Sequence, residues 1–326
     1  MSKNFYKTSN IFKSLKIKKT ILISTSTFDF KNFEDSVLYL KSGFDVDLNP
    51  FKRRLSEAEI LDLVSTNVYG LIAGVEPITK LVLESAKDLK VISRCGAGLD
   101  NIDLSAARSL NIKVLNTPIA PVQAVAELTM AHMLNLARGI NRVDQQIKDG
   151  IWKPEMGFLV AGKKIGIIGF GKIGRKVAQI AIAFGSEILA YDQSDIESIP
   201  GVQQVDLKTL LKVSDVITLH LPYSPNVHHL IGAKEFKLMK QNAIVLNLSR
   251  GGLVDEEALA DALNNKIISG AGIDTFESEP YRGGLQNCSN IILTAHMGSY
   301  AKESRDMQEK EAAQNLTAEF KNIGLI

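Results

Sequence analysis

Short apolar runs and amphipathic stretches alternate along almost the whole chain. Thr20–Thr25 predicts a buried strand, and Asn32–Lys41 a helix stopped by Gly43. Asp45–Leu48 is the next strand. Ser56-Glu-Ala-Glu59 has the S-x-x-E form of a capping box, in which each side chain satisfies a free backbone N–H of the first turn. A helix therefore starts there and runs to about Ser65. Val68–Val75, Lys90–Arg94 and Lys113–Leu115 read as strands, Thr79–Ala86 and Leu104–Leu110 as helices. Five strand–helix units within the first 116 residues imply a parallel sheet with helices on both faces, because parallel neighbours need a crossover between them.

Asn116-Thr117-Pro118 breaks the pattern. A long apolar helix follows over about Val122–Arg138, and its small residues Ala124, Ala126 and Ala131 suit close packing. After Gly150-Ile-Trp152-Lys-Pro154 a second series begins. Its strands are Lys164–Gly169, Glu187–Asp192, Asp215–Pro222, Ala243–Ser249, Ile268–Asp274 and Asn290–His296. Helices fill the gaps, Asp255–Asn264 among them, and a last helix covers about Ala301–Phe320. The reading is α/β, with two doubly wound parallel-sheet domains.

Composition agrees. A chain of 326 residues suits two domains. With 45% hydrophobic and 23% charged residues it is a globular composition, not a disordered one. No apolar run approaches the roughly 20 residues that span a bilayer. The 38 basic and 36 acidic residues leave +2, too little for nucleic-acid binding by bulk charge. Two cysteines, Cys95 and Cys288, make neither a disulfide framework nor a zinc site by themselves, and a reducing cytoplasm is the simplest compartment. Residues 1–19 carry six lysines and no acid, and read as a solvated basic tail.

Gly169-Phe-Gly171-Lys172-Ile173-Gly174 matches G-x-G-x-x-G directly after a strand and at the start of the helix Ile173–Phe184. The first glycine allows the tight turn, the second lets backbone approach a pyrophosphate, and the third packs helix on strand. The helix N-terminus then offers N–H groups and a positive dipole to phosphate. Asp192 ends the next strand, 23 positions after Gly169. A carboxylate there accepts from ribose hydroxyls and repels a 2′-phosphate. The expected cofactor is NAD.

Ligands of open parallel sheets bind outside the carboxyl ends of the strands. The residues closing the second series there are Gly169, Asp192, Pro222, Arg250, Asp274 and His296, with Glu279 in the loop after Asp274. Reduction of a ketone by hydride needs a proton donor of near-neutral pKa, a carboxylate to orient it, and a planar cation to grip a substrate carboxylate. His296, Glu279 and Arg250 fit those roles. Among the other histidines, His220 reads as packed or hydrogen-bonded beside the adenine site, His228 and His229 as structural, and His132 as a core or interface residue. No metal site is expected.

The same residues carry a family resemblance. The chain resembles the D-isomer-specific 2-hydroxyacid dehydrogenases, most closely their phosphoglycerate dehydrogenase-like branch, from about residue 45 onward. The shared motifs are Gly96-Ala97-Gly98-Leu-Asp100-Asn-Ile-Asp103, Val125-Ala-Glu127-Leu, Gly166-Ile-Ile-Gly169-Phe-Gly171-Lys-Ile-Gly174 and Leu219-His-Leu-Pro222. They continue with Asn247-Leu-Ser-Arg250-Gly-Gly-Leu-Val-Asp255, Asp274-Thr-Phe-Glu-Ser-Glu279-Pro280 and Thr294-Ala-His296-Met-Gly298.

The resemblance implies a flavodoxin-like substrate domain over 1–116 and 299–326, and a Rossmann NAD-binding domain over 117–298. It implies that Arg250 binds the substrate, that His296 is the acid/base paired with Glu279, and that the backbone of Ala97 and Gly98 cradles the substrate carboxylate. Asp274 would hold the nicotinamide carboxamide. Gly169, Gly171, Lys172, Ile173, Gly174, Asp192, Leu219, Pro222, Leu248, Ser249 and Gly298 complete the cofactor set. It also implies a homodimer through the NAD domain, with the Val122–Arg138 helix and Trp152 at the contact, and domain closure that excludes water before hydride transfer.

One departure bears on the substrate. Phosphoglycerate dehydrogenases of this kind carry an arginine at the end of the strand Val68–Val75, whereas here the segment reads Ile72-Ala-Gly-Val-Glu76. Arg53 and Arg54 are the charges an earlier loop offers in its place. The expected reaction is hydride transfer between NAD(H) and a small 2-hydroxy/2-keto acid: 3-phosphoglycerate, hydroxypyruvate, glyoxylate or another. No nucleic acid or membrane partner is expected. The alternative is an NAD(H)-sensing binding protein of the same fold, co-repressor-like, with little turnover.

Overall fold

A computed structural model describes residues 19–26, 28 and 43–326. The helix expected at Asn32–Lys41 and nearly all of the basic tail lie outside the described residues. The chain divides into two compact units. One takes the residues up to Cys95, Asn101–Asn116 and Glu309–Ile326, and the other takes Gly96–Asp100 and Thr117–Gln308.

The first unit holds β1 (Thr20–Ile23), β2 (Asp45–Leu48), β3 (Val68–Ala73), β4 (Val91–Arg94) and β5 (Lys113–Asn116) in the order β2-β1-β3-β4-β5. Every pair is parallel. This is the flavodoxin-type order. Helices α1 (Glu57–Val64), α2 (Lys80–Ser85) and α3 (Leu104–Ser109) connect the strands. The capping box forms as its sequence predicts, with Glu59 N donating to Ser56 Oγ and Ser56 N to Glu59 Oε2. The central strands β1 and β3 are buried on both faces, so they are apolar throughout rather than alternating. Ile21, Ile23, Ile72 and Val91 pack with Phe44 and with Leu316 and Phe320 from the C-terminal segment.

The second unit begins with α4 (Pro121–Arg138) and α5 (Ile140–Lys148). Then follow β6 (Lys164–Ile168), α6 (Lys172–Ala183), β7 (Glu187–Tyr191), β8 (Val202–Gln204), α7 (Leu207–Val213) and β9 (Val216–Leu219). Next come α8 (Ala233–Phe236), β10 (Ile244–Asn247), α9 (Glu256–Asn264), β11 (Gly270–Ile273) and β12 (Ile291–Leu293), and α10 (Lys302–Asn322) closes the chain. The sheet runs β12-β11-β10-β9-β6-β7-β8, all parallel. The chain moves outward from β6 to β8 and then restarts on the other side of β6 with β9. That reversal is the switch point where such sheets bind ligands.

Two elements bury no apolar face of their own. β8 is a three-residue edge strand, Val-Gln-Gln, with one neighbour and two exposed positions. α5 starts after Gly139, whose φ of +61° ends α4, and it buries none of its residues. The strands are also shorter than their apolar runs. β9 stops at Leu219, β10 at Asn247, β11 at Ile273 and β12 at Leu293. The residues beyond them leave the ladder and form the loops that carry the chemistry.

Candidate active site

Gly169 turns the chain out of β6 with φ +92°, and a side chain there would sit 2.6 Å from the His220 carbonyl oxygen. Only glycine takes both conditions without strain. Gly174 lies so close that a Cβ would be 2.3 Å from the Gly169 carbonyl oxygen, which seats α6 against the turn. Gly171 caps α6 with no side-chain hydrogen bond, and a Cβ there would meet nothing within 4 Å. An uncapped helix head beside open space suits a pyrophosphate, for which the first-turn amides of Lys172 and Ile173 would be the donors. Asp192 follows β7 directly; its Oδ2 accepts from Phe170 N at 2.8 Å and its Oδ1 from Ser194 N at 3.1 Å. The carboxylate is thus fixed at the rim of the glycine turn, where the ribose of a dinucleotide belongs. Leu219 and Leu248 put their side chains in the core, which leaves only their backbone for a ligand. Pro222 is exposed.

The loops after β10, β11 and β12, three neighbouring strands, bring the ionisable residues to one edge. Ser249 and Arg250 sit in a braced turn. Ser249 Oγ donates to the Leu221 carbonyl at 2.5 Å, and Asn247 Nδ2 donates to the Arg250 carbonyl at 2.8 Å. The Arg250 side chain reaches the segment Gly96–Asp100. Its Nε donates to Asp100 Oδ2 at 2.6 Å and its Nη1 to the Ser249 carbonyl at 2.7 Å. A Cβ on Gly98 would overlap Arg250 Nη2 at 1.6 Å. Gly98 is therefore next to the guanidinium.

His296 Nδ1 lies 3.0 Å from both Glu279 Oε1 and Oε2. Glu279 Oε1 also accepts from Phe276 N at 3.1 Å. The carboxylate fixes the ring through Nδ1, which leaves Nε2 for proton exchange. His296 has φ +49°, a left-handed backbone that costs about 1–3 kcal/mol outside glycine. Asp274, fully buried, holds this loop. Its Oδ1 accepts from Thr294 Oγ1 at 2.6 Å and Met297 N at 2.9 Å, and its Oδ2 from Gly298 N at 2.9 Å. A carboxylate accepts about four hydrogen bonds, so one position remains for a carboxamide.

Other side chains have structural work. Arg53 pairs with Glu59 at 2.6 Å and lies over the Phe51 ring, so its charge is already engaged. His220 Nε2 is 3.0 Å from Thr218 Oγ1, and burial pushes its imidazole down to about 3. His228 stacks on His229, and His229 Nε2 is 2.8 Å from Glu277 Oε1. Both cysteines are buried, and neither is in a disulfide. Among the described residues no cluster of three or more His, Cys, Asp or Glu could hold a metal ion. No helix of the described residues is long and apolar enough to cross a membrane. The sequence reading did not find the Asp100–Arg250 and His229–Glu277 pairs. Their partners are 150 and 48 positions apart, and no local spacing encodes such a contact.

Comparison with known proteins agrees with this geometry. The family described as "D-isomer specific 2-hydroxyacid dehydrogenase, NAD binding domain" matches residues 130–298. The chain is 41% identical over 299 residues to the glyoxylate reductase of Thermococcus litoralis, covering 87% of this chain and 90% of that one. It is 37% identical over 285 residues to the hydroxypyruvate reductase of Thermotoga maritima, covering 86% and 92%. The solved D-lactate dehydrogenase of Aquifex aeolicus, complexed with NAD and lactic acid, superposes with a TM-score of 0.82 at 26% identity, covering 93% and 96%. These likenesses support a dehydrogenase rather than a sensor.

Proposed function

We propose a specific reaction from the premise that this chain belongs to the D-isomer specific 2-hydroxyacid dehydrogenase family: reduction of a small, unphosphorylated 2-keto acid such as glyoxylate or hydroxypyruvate, with NADH preferred over NADPH. The class itself is plain. The chain is an oxidoreductase that works with a nicotinamide dinucleotide on 2-hydroxy and 2-keto acids. The observation that carries the reading is the His296–Glu279 contact at 3.0 Å on the strand-end edge that also holds Arg250.

Each residue then has a task. The Gly169–Gly174 turn and the head of α6 hold the pyrophosphate, and Asp192 takes the ribose hydroxyls. When bound, the dinucleotide supplies or accepts the hydride at the substrate C2. Arg250 grips the substrate carboxylate and polarises the C2 carbonyl, and the backbone at Ala97 and Gly98 takes the other side of that carboxylate. His296, held by Glu279, delivers the proton from Nε2 to the carbonyl oxygen as negative charge develops there. In the reverse direction the same nitrogen removes the hydroxyl proton. Atoms and charge balance as keto acid, hydride and proton giving the hydroxy acid.

Glu76 supports the choice of an unphosphorylated substrate. It is buried at the end of β3, where its Oε1 accepts from Ser24 Oγ and from Gly74 N. The segment Ile72–Glu76 thus keeps its carboxylate in the interior and offers no arginine to a phosphate. We place the enzyme in the cytoplasm, consistent with its two buried cysteines, neither of them in a disulfide. We also assign it a homodimer through the second unit. Trp152, Met156 and Leu159 are 89%, 99% and 70% exposed on the segment after α5, an apolar surface that calls for a partner. Sedimentation at micromolar concentration should give twice the mass of 35.7 kDa, and a monomer there would remove that assignment.

The test of the reaction is NADH oxidation across glyoxylate, hydroxypyruvate, pyruvate, 2-ketoglutarate and 3-phosphohydroxypyruvate, with His296→Ala alongside. Turnover with one of the first three, lost by about 10²–10⁴ in the variant, supports the reading. Preference for the phosphorylated acid would overturn the substrate class, and unchanged turnover in the variant would remove His296 from the mechanism.

A further inference from the structure

Behind the loop that carries His296 lies a buried chain of hydrogen bonds. His132, in the middle of α4, is 3% exposed. Its Nε2 is 3.2 Å from Thr294 Oγ1, and Thr294 Oγ1 is 2.6 Å from Asp274 Oδ1. The Asp274 carboxylate in turn accepts the backbone N–H groups of Met297 and Gly298, on the far side of His296. The Asp274 carbonyl accepts from His296 N at 2.8 Å.

The directions of these bonds follow from donor counting. A carboxylate that already accepts two N–H groups accepts the Thr294 hydroxyl proton as well. The hydroxyl has one proton, so toward His132 its oxygen can only accept. His132 must then donate through Nε2–H. Its Nδ1 is a buried atom with no hydrogen-bond partner among the described residues. A neutral ring with its proton on Nε2 satisfies both observations, because a bare Nδ1 has no donor to leave unmade. Burial lowers the His132 pKa, with the Asp274 charge opposing, which agrees with a neutral ring.

Gly272, in β11, completes the fit. A Cβ on Gly272 would lie 2.6 Å from His132 Nδ1 and 2.8 Å from Leu246 Cδ2. The imidazole therefore occupies the space that a side chain at 272 would take. The sequence pattern alone placed His132 in an apolar stretch and said nothing of Thr294 or Gly272 as its neighbours.

We propose that His132 and Thr294 are positioning residues, which fix the Asp274 carboxylate and through it the left-handed turn that presents His296. The role rests on the reading of this site as a keto-acid reductase. The hydroxyl takes one of the two oxygens of Asp274 and sets the rotation of the carboxylate. That rotation decides where Met297 N and Gly298 N can bond, and so where the turn between β12 and α10 carries the imidazole. Without the Thr294 hydroxyl, Asp274 keeps only the Met297 and Gly298 amides, which belong to the turn it has to hold, and the catalytic ring loses its register.

Two measurements test this. The first uses the cofactor-free protein with 15N-labelled histidine, in which NMR reports the tautomer of each ring. His132 should be neutral with its proton on Nε2, and Thr294→Val should alter that signal. An Nδ1–H tautomer, or a signal indifferent to Thr294→Val, overturns the network. The second is steady-state kinetics with the best keto acid of the panel. Thr294→Val and His132→Leu should each lower kcat at least tenfold, leave the keto-acid KM within threefold, and raise the isotope effect with deuterated NADH. Thr294→Ser should restore kcat. Gly272→Ala should reproduce the loss, and His132→Leu in the same chain should add little to it. If His132→Leu does not fold, the Thr294→Val and Thr294→Ser pair decides alone. Wild-type turnover with unchanged Thr294→Val kinetics sinks the positioning role only. No wild-type turnover on any keto acid sinks the reductase reading and the role with it, whatever the tautomer shows.

Discussion

Arg250 Nε donates to Asp100 Oδ2 at 2.6 Å, joining two residues 150 positions apart in the chain. Asp100 is 40% exposed at its side chain and Arg250 28%, so the pair is wet rather than sealed. A third guanidinium nitrogen, Nη2, meets the space over Gly98, the face a substrate carboxylate would approach. Asp100 thus sets the plane of the guanidinium without taking up all its donors.

Removing Asp100 should therefore weaken substrate binding and leave the cofactor alone. A hydrogen bond to a charged group contributes about 1.5–3 kcal/mol, discounted here toward the lower end because the pair is exposed. Asp100→Ala is expected to raise the keto-acid KM about tenfold. The dissociation constant of NADH, followed by its fluorescence, should not move. An unchanged KM would mean that Arg250 is oriented by its turn alone.

Much of this arrangement is legible in the sequence, for identifiable reasons. The alternation of apolar runs encodes both parallel sheets because buried strands such as β3, β9 and β10 are apolar on both faces. Arg250, Asp274 and His296 are legible because each follows an apolar run directly, and sheet topology sends those ends to one edge. Glu279 is legible only through its neighbours, since a loop acid has no pattern of its own. Asp100, Glu277 and the His132–Thr294 pair are not legible. Each acts through a contact between distant segments, and residue type alone does not specify distance. β8 escapes for a different reason, as a three-residue edge strand too short to show a period, whereas α5 carries Ile140, Val143 and Ile147 at helical spacing and was legible.

Glu279 offers the next test. Its carboxylate receives the His296 ring and Phe276 N together. Glu279→Gln keeps the shape and one acceptor but removes the negative charge beside the His296 ring. The expected result is a kcat about 10²-fold lower with NADH affinity intact. A variant with wild-type kcat would reduce Glu279 to a loop support for Phe276.

The proposed preference for NADH over NADPH rests on Asp192. Its Oδ2 bonds Phe170 N, inside the glycine turn, and its Oδ1 bonds Ser194 N. Asp192→Ala removes the repulsion toward a 2′-phosphate and also one anchor of the turn. NAD should lose affinity while NADP gains relative to it, shifting the ratio of kcat/KM values by at least about tenfold, or about 1.4 kcal/mol. A wild-type enzyme that already prefers NADP would refute the reading before any mutation is made.

The buried histidines predict how stability responds to acid. Burial pushes His220 down to about 3 and lowers His132 as well. An unfolded histidine titrates near 6.5. Between about pH 6.5 and pH 3 the unfolded chain binds a proton that native His220 does not, and His132 acts in the same direction, so the unfolded state gains and stability falls as pH falls. The contribution is intact above pH 6.5, the opposite of a histidine held charged by a partner. Carboxylates with lowered values, such as Glu155 beside Arg142 and Asp206 capping α7 through Thr209, act in a lower window. In the unfolded chain they are half protonated only near pH 4. A fall in the thermal midpoint between pH 6.5 and 5 therefore belongs to the histidines. Scanning calorimetry of the cofactor-free protein should show that fall, and His220→Gln should flatten it. A midpoint constant from pH 7 to 5, or a slope that His220→Gln leaves unchanged, would show that His220 takes up its proton in the native state.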